Sequence, residues 1–572
     1  MSDWTIRLDG SELPTKEAAG GKAWSIARMR GLGLPVPPAF VIGTKACLAY
    51  LESGDFPAGL VAEIDAGLAW LEGETGRGFG GGDKRLLLSV RSGAAISMPG
   101  MMDTVLNLGI DDAAEAALAA ETGLPGFARD THRRFLELYA SIVQKAPVEL
   151  DHDADPADWR SALETTGGPL PAHVRDQLLA TVRAVFESWN TRRARRYREH
   201  NNIPHDLGTA VTIQAMVFGN LDERSGTGVL FSRNPLTGEN RPYGEYLPRA
   251  QGEDVVSGKF TPLPLDAMAT TEPEAHAALL AASDRLEREH GDVQDIEFTV
   301  QSGRLYLLQS RAAKRAPAAA VRFAVDMVAE GRIDPATALS RVSAEQVRTL
   351  LLPRLQDGAT NGARVLATGE GACPGAATGM LVADADEAER RAAAGEAVIL
   401  VRKTTSPDDV HGMIAARAVV TEQGGSTSHA AVVSRALGRP CVVGVGDGAV
   451  ARSGTVVTID GAAGLVYAGA LATEAPDEQD DPMLLQLIDW ARAASSIEVI
   501  GFRGAPDGFD VDGALATGNA EGLAGAIGGA LVARGHALAQ DEIARIARGA
   551  GVTTIVTEPV LPVLLTMIGD AA

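Results

Sequence analysis

Residues 418–438 read Ala418-Val-Val-Thr-Glu-Gln-Gly-Gly-Ser-Thr-Ser-His-Ala-Ala-Val-Val-Ser-Arg-Ala-Leu-Gly438. The apolar start of this stretch predicts a buried strand, and the pair Gly424-Gly425 permits a sharp turn with close backbone approach. Residues 430–437 are typical of a helix, which Gly438 is expected to end. A strand, a glycine turn and a helix in this order indicate an α/β unit.

His429 directly follows the glycine turn and is predicted to lie in the first turn of the helix. Thr427 or Ser428 is the expected N-cap. A neutral imidazole nitrogen is a competent nucleophile, and the positive end of a helix stabilises an anion once it is attached. The position therefore suits a histidine that carries phosphate, whereas a lone histidine here would simply hydrogen-bond the helix start.

The whole chain divides into five parts by its pattern of apolar, charged, glycine and proline residues. Residues 1–315 mix helical patterns with strand-like runs, and residues 316–363 have the pattern of a connecting helical arm. Residues 364–470 alternate short apolar strands with glycine-bounded turns and short helices. The acidic, proline-flanked run at 471–482 resembles a solvated linker, and residues 483–572 form a short α/β module. The predicted fold class is therefore multidomain, mixing α/β and α+β parts.

Composition narrows the classes of partner. The chain has 572 residues and a formal net charge of −22, which argues against a nucleic-acid partner. Its start shows no secretory signal, and no stretch approaches the roughly 18–20 apolar residues of a membrane span. The three cysteines show no metal-site spacing and are expected to be reduced, which indicates the cytoplasm. One basic cluster, residues 192–198, is either a solvated helix face or a local phosphate-binding patch.

Two segments near the start suggest a phosphate site. Gly20-Gly-Lys22 precedes a helical stretch but lacks P-loop spacing, so a turn with a surface lysine is the alternative. A predicted strand ends in Arg91, which delivers a guanidinium to a loop of small residues. The backbone amides of such a loop are suited to phosphate oxygens, and the arginine offers a bidentate contact.

A third segment suggests a metal site. In Asp295-Ile-Glu297 the period of two places both carboxylates on one face of a strand, which suits Mg²⁺ held between phosphates. The alternative is an edge strand with a solvated acidic face. Gln309 and Arg311 repeat the same spacing on a second apolar strand.

These segments resemble the phosphoenolpyruvate-utilising enzymes, in particular the pyruvate, phosphate dikinase family. The stretch around His429 matches their phosphohistidine signature position by position, and Cys373-Pro-Gly-Ala-Ala-Thr-Gly379 resembles the same mobile domain. Gly208–Asn220 and Gly226–Gly238 are similar to the family's nucleotide domain. The resemblance implies an ATP-grasp fold for residues 1–315 and a swivelling phosphohistidine domain at 364–470.

The resemblance also implies roles for individual residues. It implies contacts to the nucleotide phosphates from Lys22, Arg91 and Arg134. It implies binding of ATP and Mg²⁺ by Asp295, Glu297 and Gln309, with both acids as metal ligands. It implies that Arg311 lies near the transferred phosphoryl group and that His429 carries it. Thr427 matches a position where family members are regulated by phosphorylation, with helix capping as the alternative.

The implied reaction uses ATP and phosphate to phosphorylate His429, releases AMP and pyrophosphate, and passes the phosphoryl group to pyruvate. His429 must move between distant sites, so hinges are expected near 316–363 and 471–482. The family continues into a pyruvate-binding barrel of roughly 250 residues, and 483–572 is too short for one. The acceptor is therefore expected to be pyruvate, a separate acceptor-domain protein or another small molecule, and the alternative is a non-catalytic ATP-binding module.

Overall fold

Our computed structural model describes residues 4–96, 98, 104–201, 203–256, 260–351, 354–356, 358–437, 439–474, 476–517 and 522–569. It contains four sheets of four or more strands, and the mixed α/β and α+β fold class is confirmed.

The first sheet, sheet 1, is antiparallel with the strand order β1-β2-β5-β3-β4. Its strands are β1 (Thr5–Arg7), β2 (Ala39–Ile42), β3 (Leu88–Gly93), β4 (Thr104–Leu108) and β5 (Ala210–Ala215). The accompanying helices are α1 (Lys16–Gly31), α2 (Thr44–Ser53), α3 (Leu60–Thr75), α4 (Asp112–Thr122), α5 (Pro125–Ile142), α6 (Pro156–Gly167), α7 (Val174–Ser188) and α8 (Arg192–His200). Strands β2 and β5 are buried along their whole length, and α2–α7 pack around them in one core.

Sheet 2 is also antiparallel, with the order β10-β9-β6-β7-β8. Its strands are β6 (Gly226–Phe231), β7 (Tyr243–Pro248), β8 (Leu263–Pro264), β9 (Gln294–Gln301) and β10 (Arg304–Ala312), with helices α9 (Gly252–Val256), α10 (Met268–Thr271) and α11 (Pro273–His290). Ile296, Phe298 and Val300 pack with Leu279 and Leu286 of α11. Because strand side chains alternate, Asp295 and Glu297 face the opposite side, away from this core.

The helical segment that follows belongs to a core at the C-terminal end of the chain. Helices α12 (Pro317–Ala329), α13 (Pro335–Ser340) and α14 (Ala344–Leu350) come before the short strand β11 (Arg354–Leu355). Val321, Leu339 and Val347 from these helices share one apolar cluster with Leu487 and Val499 of the C-terminal module. The segment expected to be a connecting arm thus contributes to a core.

Sheet 3 has eight strands in the order β12-β19-β18-β14-β15-β16-β17-β13. The four adjacent strands β14, β15, β16 and β17 run parallel. The strands are β12 (Val365–Thr368), β13 (Glu370–Cys373), β14 (Ala376–Val382), β15 (Val398–Arg402), β16 (Ala418–Thr421), β17 (Cys441–Val443), β18 (Val456–Asp460) and β19 (Leu465–Ala468). The helices are α15 (Ala385–Ala393), α16 (Val410–Ala415) and α17 (His429–Leu437). We call this part the histidine unit.

The last part contains sheet 4, which is parallel with the order β21-β24-β23-β22. Its strands are β21 (Glu498–Ile500), β22 (Phe509–Asp510), β23 (Val532–Arg534) and β24 (Thr554–Val556). The helices are α18 (Pro482–Ala494), α19 (Val511–Thr517), α20 (Leu523–Ile527), α21 (Asp541–Gly549) and α22 (Val560–Gly569). Within the described ranges, this module is an open four-stranded sheet and not an eight-stranded barrel.

The two connections to the histidine unit run side by side. Strand β20 (Thr473–Glu474), which leaves the unit, pairs antiparallel with β11, which enters it. Farther along the acidic run, Glu478 is 3% exposed and accepts hydrogen bonds from the backbone N–H groups of Val560 and Leu561. This carboxyl therefore binds the N-terminus of α22, although the sequence suggested a solvated linker here.

Candidate nucleotide and phosphohistidine site

The Gly-Gly-Lys segment and the end of β3 lie against each other. Gly20 interrupts α1 with a φ of 76°, and a Cβ at this position would lie 2.2 Å from the carbonyl oxygen of Gly93. The N–H of Gly21 donates to the carbonyl of Ala94 over 2.9 Å. Glycine at position 20 is therefore required both by its left-handed backbone and by this close approach. The contact brings Lys22 next to Gly93, two residues beyond Arg91.

Arg91 joins sheet 1 to sheet 2 through an ion pair. Its Nη2 lies 2.9 Å from Oε2 of Glu297 on β9. Burial favours the neutral form of Glu297, but Arg91, Arg311 and Lys22 together lower the pKa of this carboxyl to about 2. Glu297 is thus ionised at neutral pH and faces three cations.

Asp295 and Arg311 form a second ion pair on the same face of sheet 2. The Nε of Arg311 lies 2.8 Å from Oδ2 of Asp295, which is only 3% exposed. The register of β9 and β10 pairs Arg311 with Asp295 and Gln309 with Glu297, across a bulge after Leu307. The period-two pattern of the sequence is therefore present in both strands.

Two oxygen atoms in this cluster have no hydrogen-bond partner in the described part of the chain. They are Oδ1 of Asp295 and Oε1 of Gln309. Burial raises the pKa of Asp295, while Arg311 lowers it. A buried oxygen acceptor without a partner is costly, so both atoms point to a ligand that supplies a cation or a donor.

The cations outnumber the anions in this cluster. Burial, Arg91 and Arg311 lower the pKa of Lys22 to about 7, although Glu297 raises it. Lys22, Arg91 and Arg311 face the carboxylates of Asp295 and Glu297. A polyphosphate would supply the negative charge that these three cations lack.

A cleft of about 300 Å³ opens between the two antiparallel sheets beside these charges. Sheet 1 contributes Ser89, Arg91 and Gln214 to its lining, and sheet 2 contributes Glu297 and Leu308. An apolar cleft with a few convergent polar groups is typical of a small-molecule site.

Arg134 lies apart from this cluster. It extends from α5 and bonds Asp130 with its Nε and Asp254 with its Nη1, over 2.8 and 3.0 Å. Asp254 lies on α9, and its neighbours Gly252 and Val255 line the cleft. Arg134 thus contacts the wall of the cleft through a carboxylate.

The loop after β3 is only partly described. Ile96 is exposed, and Met98 packs against the core of the histidine unit. Residues 97 and 99–103, including Met101 and Met102, lie outside the described residues, as does Gly438.

His429 is the first residue of α17, one position earlier than the predicted helix. Its Nδ1 lies 3.1 Å from the hydroxyl of Thr405, and its Nε2 is buried without a partner among the described residues. Burial lowers the pKa of His429 to about 4, although Asp409 raises it. The imidazole is therefore neutral at pH 7. In the tautomer whose Nδ1–H donates to Thr405, Nε2 holds the lone pair and is the nucleophile.

The two N-cap candidates have different partners. The N–H of Ala431 lies 3.5 Å from the hydroxyl of Ser428, in the capping position. The hydroxyl of Thr427 instead donates to Oε2 of Glu245, a residue of β7 in sheet 2. Sequence reasoning missed Glu245, Tyr243 and Thr405, because a single Glu, Tyr or Thr in a loop or strand carries no local signal.

These contacts bring the loop before His429 onto sheet 2. The hydroxyl of Ser426 donates to Oε1 of Glu245 over 3.0 Å, and Oη of Tyr243 lies 2.6 Å from the same hydroxyl. Ser426, Thr427 and Glu245 are each less than a tenth exposed. The histidine unit is thus docked on the face of sheet 2 that also presents Asp295 and Glu297.

Arg435 supports the same docked arrangement from α17. Its Nη2 donates to the carbonyl of Ser426 over 2.9 Å, and its guanidinium lies 5.9 Å from the ring centroid of Phe231. The Arg435 charge also acts to lower the pKa of Asp295. The helix that begins with His429 therefore places one positive charge within electrostatic reach of Asp295.

The basic cluster forms α8. Arg192, Arg195 and Arg196 are exposed, whereas Arg198 is buried and stacks on Trp189 at 4.0 Å. The cluster is thus largely a solvated helix face.

We expect ATP affinity to weaken as the pH rises above 7, because Lys22 loses its proton near that pH in the free protein. The fall should approach tenfold per pH unit between about pH 7 and 9. Calorimetric titration with Mg²⁺-ATP checks this, and Lys22→Arg should remove most of the pH dependence. An equal slope in Lys22→Arg would contradict the assignment to Lys22.

Among the described residues, no helix combines the length and the apolar character that a membrane span requires. The three cysteines are buried and unpaired, as expected.

Two family models match the chain. The model described as "Pyruvate phosphate dikinase, AMP/ATP-binding domain" matches residues 52–278. The model described as "PEP-utilising enzyme, mobile domain" matches residues 394–464, which include His429.

Alignments with similar proteins extend over most of this chain. A protein of Flaveria trinervia named "Pyruvate, phosphate dikinase, chloroplastic" is 43% identical over 530 residues, which cover 86% of this chain and 55% of that protein. "Pyruvate, phosphate dikinase" of Clostridium symbiosum is 40% identical over 513 residues, which cover 83% of this chain and 59% of that protein. The chain thus spans little more than half the length of these relatives. The chain thus matches both an AMP/ATP-binding domain and a PEP-utilising mobile domain, and over most of its own length it is similar to pyruvate, phosphate dikinases.

Proposed function

We propose that this chain catalyses the donor half of a dikinase reaction, in which His429 takes a pyrophosphoryl group from ATP. The observation that carries the proposal is the docking of the His429 loop on the face of sheet 2 that holds Asp295, Glu297 and Arg311. Nε2 of His429 would attack the β-phosphorus as the bond to the bridging oxygen of AMP breaks. Inorganic phosphate would then accept the outer phosphoryl group, which leaves phosphohistidine and pyrophosphate.

The chemistry fits a site that works by positioning and charge neutralisation. In phosphoryl transfer a protein does little covalent chemistry. It mainly holds the reacting atoms in line and stabilises the equatorial oxygens. We propose Lys22 and Arg91 as ligands of the nucleotide phosphates and Arg311 as the cation at the transferred group. Arg134 is proposed to contribute to nucleotide binding by holding Asp254, whose neighbours Gly252 and Val255 line the cleft.

The residues present fit Mg²⁺. Asp295 and Glu297 offer carboxylate oxygens, and Oδ1 of Asp295 is buried without a partner among the described residues. Such hard oxygen ligands suit Mg²⁺ that is shared with substrate phosphates. We propose that these two acids hold the ion, with Gln309 binding ATP beside them. Bound there, the ion would neutralise charge on the phosphate oxygens.

We propose pyruvate as the acceptor, because the similar proteins are named pyruvate, phosphate dikinases. The comparisons lend no support to a separate acceptor protein. A separate protein, another small molecule and a non-catalytic module remain as outcomes of the test below. The cytoplasm is the proposed location.

We also propose that the histidine unit moves as a body. Strands β11 and β20 pair with each other, so both connections could bend together at one place. Thr427 is the proposed regulatory residue. This residue is 4% exposed in the docked state, so modification would require undocking.

The test is mass spectrometry of the full chain after incubation with Mg²⁺-ATP and inorganic phosphate, followed by a pyruvate chase. We expect AMP and pyrophosphate in solution and a phosphoryl group on His429. Loss of the label to pyruvate would identify that acceptor, and a label retained until a second protein or molecule is added would point elsewhere. ATP binding without AMP release would favour the non-catalytic module.

A further inference from the structure

We propose that Cys373 and Cys441 form a reversible oxidation site, in which a small-molecule disulfide converts the two thiols into a disulfide that joins β13 to β17. The observation that carries the proposal is the register of sheet 3, in which these two residues are direct cross-strand partners. The site belongs to the histidine unit but takes no part in phosphoryl transfer, so the inference is independent of the proposed function.

The two thiols meet on one face of sheet 3. Strands β13 and β17 are antiparallel, and Cys373 lies opposite Cys441 after a bulge that begins at Gly371. Directly opposed residues point to the same face, and both cysteines are 0% exposed in one apolar cluster. Opposed residues of antiparallel strands have Cα atoms about 4.5–5.5 Å apart, within the range of about 4.4–6.8 Å that a disulfide spans. The backbone is thus already placed for the bond.

The closed sheet protects both thiols. Burial raises the pKa of Cys373 to about 12 and the pKa of Cys441 to about 11, so both are protonated at neutral pH. Because only a thiolate attacks a disulfide, reaction with a dissolved oxidant requires local opening of the sheet. Among the described strands, β13 is an edge strand that pairs with β17, so it is the strand that opens.

The oxidation balances as two exchange steps with glutathione disulfide. The Cys373 thiolate attacks one sulfur of the oxidant, the S–S bond of the oxidant breaks, and one glutathione thiol leaves. The Cys441 thiolate then attacks the Cys373 sulfur of the mixed disulfide, and the second glutathione thiol leaves. The protein gives up two electrons and two protons, which the oxidant takes up as two thiols. Excess reduced glutathione reverses both steps.

The bond fastens the platform under the helix that begins with His429. Ala430 and Val433 of α17 pack in the same cluster as the two cysteines, and α17 lies against both strands. Nη1 of Arg435, also on α17, donates to the carbonyl of Ala372 on β13 over 3.1 Å. A link between β13 and β17 therefore holds together two strands on which α17 packs, and it closes a loop that contains His429.

The test is oxidation of the reduced full chain by glutathione disulfide at about pH 8, where thiolates form. After quenching and denaturation, the remaining thiols are alkylated, and peptide mapping without reduction identifies linked peptides. We expect one linked pair that contains Cys373 and Cys441, and one alkylated thiol, Cys47. Cys47 is the matched internal control, because it is equally buried and its pKa is raised to about 11, but it lies on α2 in the core around sheet 1.

A second measurement is thermal unfolding of the reduced and the oxidised protein. A disulfide that closes a loop of about 70 residues should raise the unfolding temperature of the histidine unit by about 5 °C or more. Dithiothreitol should remove the increase. Cys441→Ser should stop the reaction at the mixed disulfide, seen as the added mass of one glutathione, and Cys47→Ser should behave like the unchanged protein.

Three free thiols after prolonged oxidation, or linkage of Cys47 to the same extent as the pair, would overturn the proposal. An oxidised form that unfolds at or below the temperature of the reduced form would also overturn it, because the bond would then strain the two strands instead of fastening them. These measurements do not involve AMP release, so the proposed function stands or falls separately.

Discussion

Replacing His429 with alanine should abolish AMP release from Mg²⁺-ATP, to below about a thousandth of the unchanged rate. The variant has no nucleophile at the start of α17, and removal of a covalent nucleophile costs at least this much in other enzymes. Thr405 and Ser428 are neighbours of His429 but lack a comparable nucleophile at neutral pH. The measurement is AMP release by chromatography, together with intact mass of the protein.

The matched control is His411→Ala, which removes another partly buried histidine from the same unit. His411 lies on α16 with its Nε2 3.0 Å from Asp386, away from the sheet 2 contacts. ATP affinity should stay unchanged in both variants, because Lys22, Arg91 and Glu297 are untouched. AMP release that persists in His429→Ala would rule out the phosphohistidine mechanism.

Replacing Arg311 with methionine should lower the rate of AMP release by about 10³-fold or more. Arginines that stabilise a transferred phosphoryl group contribute this much in comparable reactions. The loss should fall mainly on kcat, because Lys22 and Arg91 still attract the nucleotide. Arg311→Lys should restore only part of the rate, since an ammonium lacks the planar fork that binds two oxygens.

Arg311→Met also removes the partner of a buried carboxyl. The pKa of Asp295 is raised by burial and lowered by Arg311, so in the variant this acid should take up a proton closer to neutral pH. Arg315→Met is the matched control for losing a buried arginine, because Arg315 pairs with Asp292 outside the cluster. Thermal unfolding of both variants separates a stability loss from a catalytic one. Equal kcat values for Arg311→Met and Arg315→Met would contradict the proposed role.

Local sequence patterns predicted much of the candidate site. The alternation in Asp295-Ile-Glu297 follows from strand geometry alone, and the structure has both side chains on one face. The glycine turn and the helix at His429 also follow from residue preferences over a few positions. The fold class, the β16 strand and the α17 helix could be predicted because each depends on neighbours in sequence.

Other features depend on residues far apart in the chain. Ser426 and Thr427 meet Glu245 across 181 and 182 positions, and Arg91 meets Glu297 across 206. No local pattern marks Glu245 or Tyr243, since each reads as an ordinary strand residue. Glu478 shows the same limit, because an acidic run looks solvated until the N-terminus of α22 is packed beside it.

The sequence by itself determined which groups could do the chemistry, namely a histidine at a helix start, two carboxylates at strand spacing and the arginines and lysine that face phosphate. Only the tertiary structure decided how they act together. Lys22 has its pKa near 7 because the fold buries its amine and places Arg91 and Arg311 beside it. The loop before His429 meets sheet 2 through Ser426 and Thr427, and Gly425 allows its close approach to Glu245. Electrostatic interactions and steric contacts both act over only a few ångströms. Residues that are far apart in the sequence therefore interact only once the chain is folded.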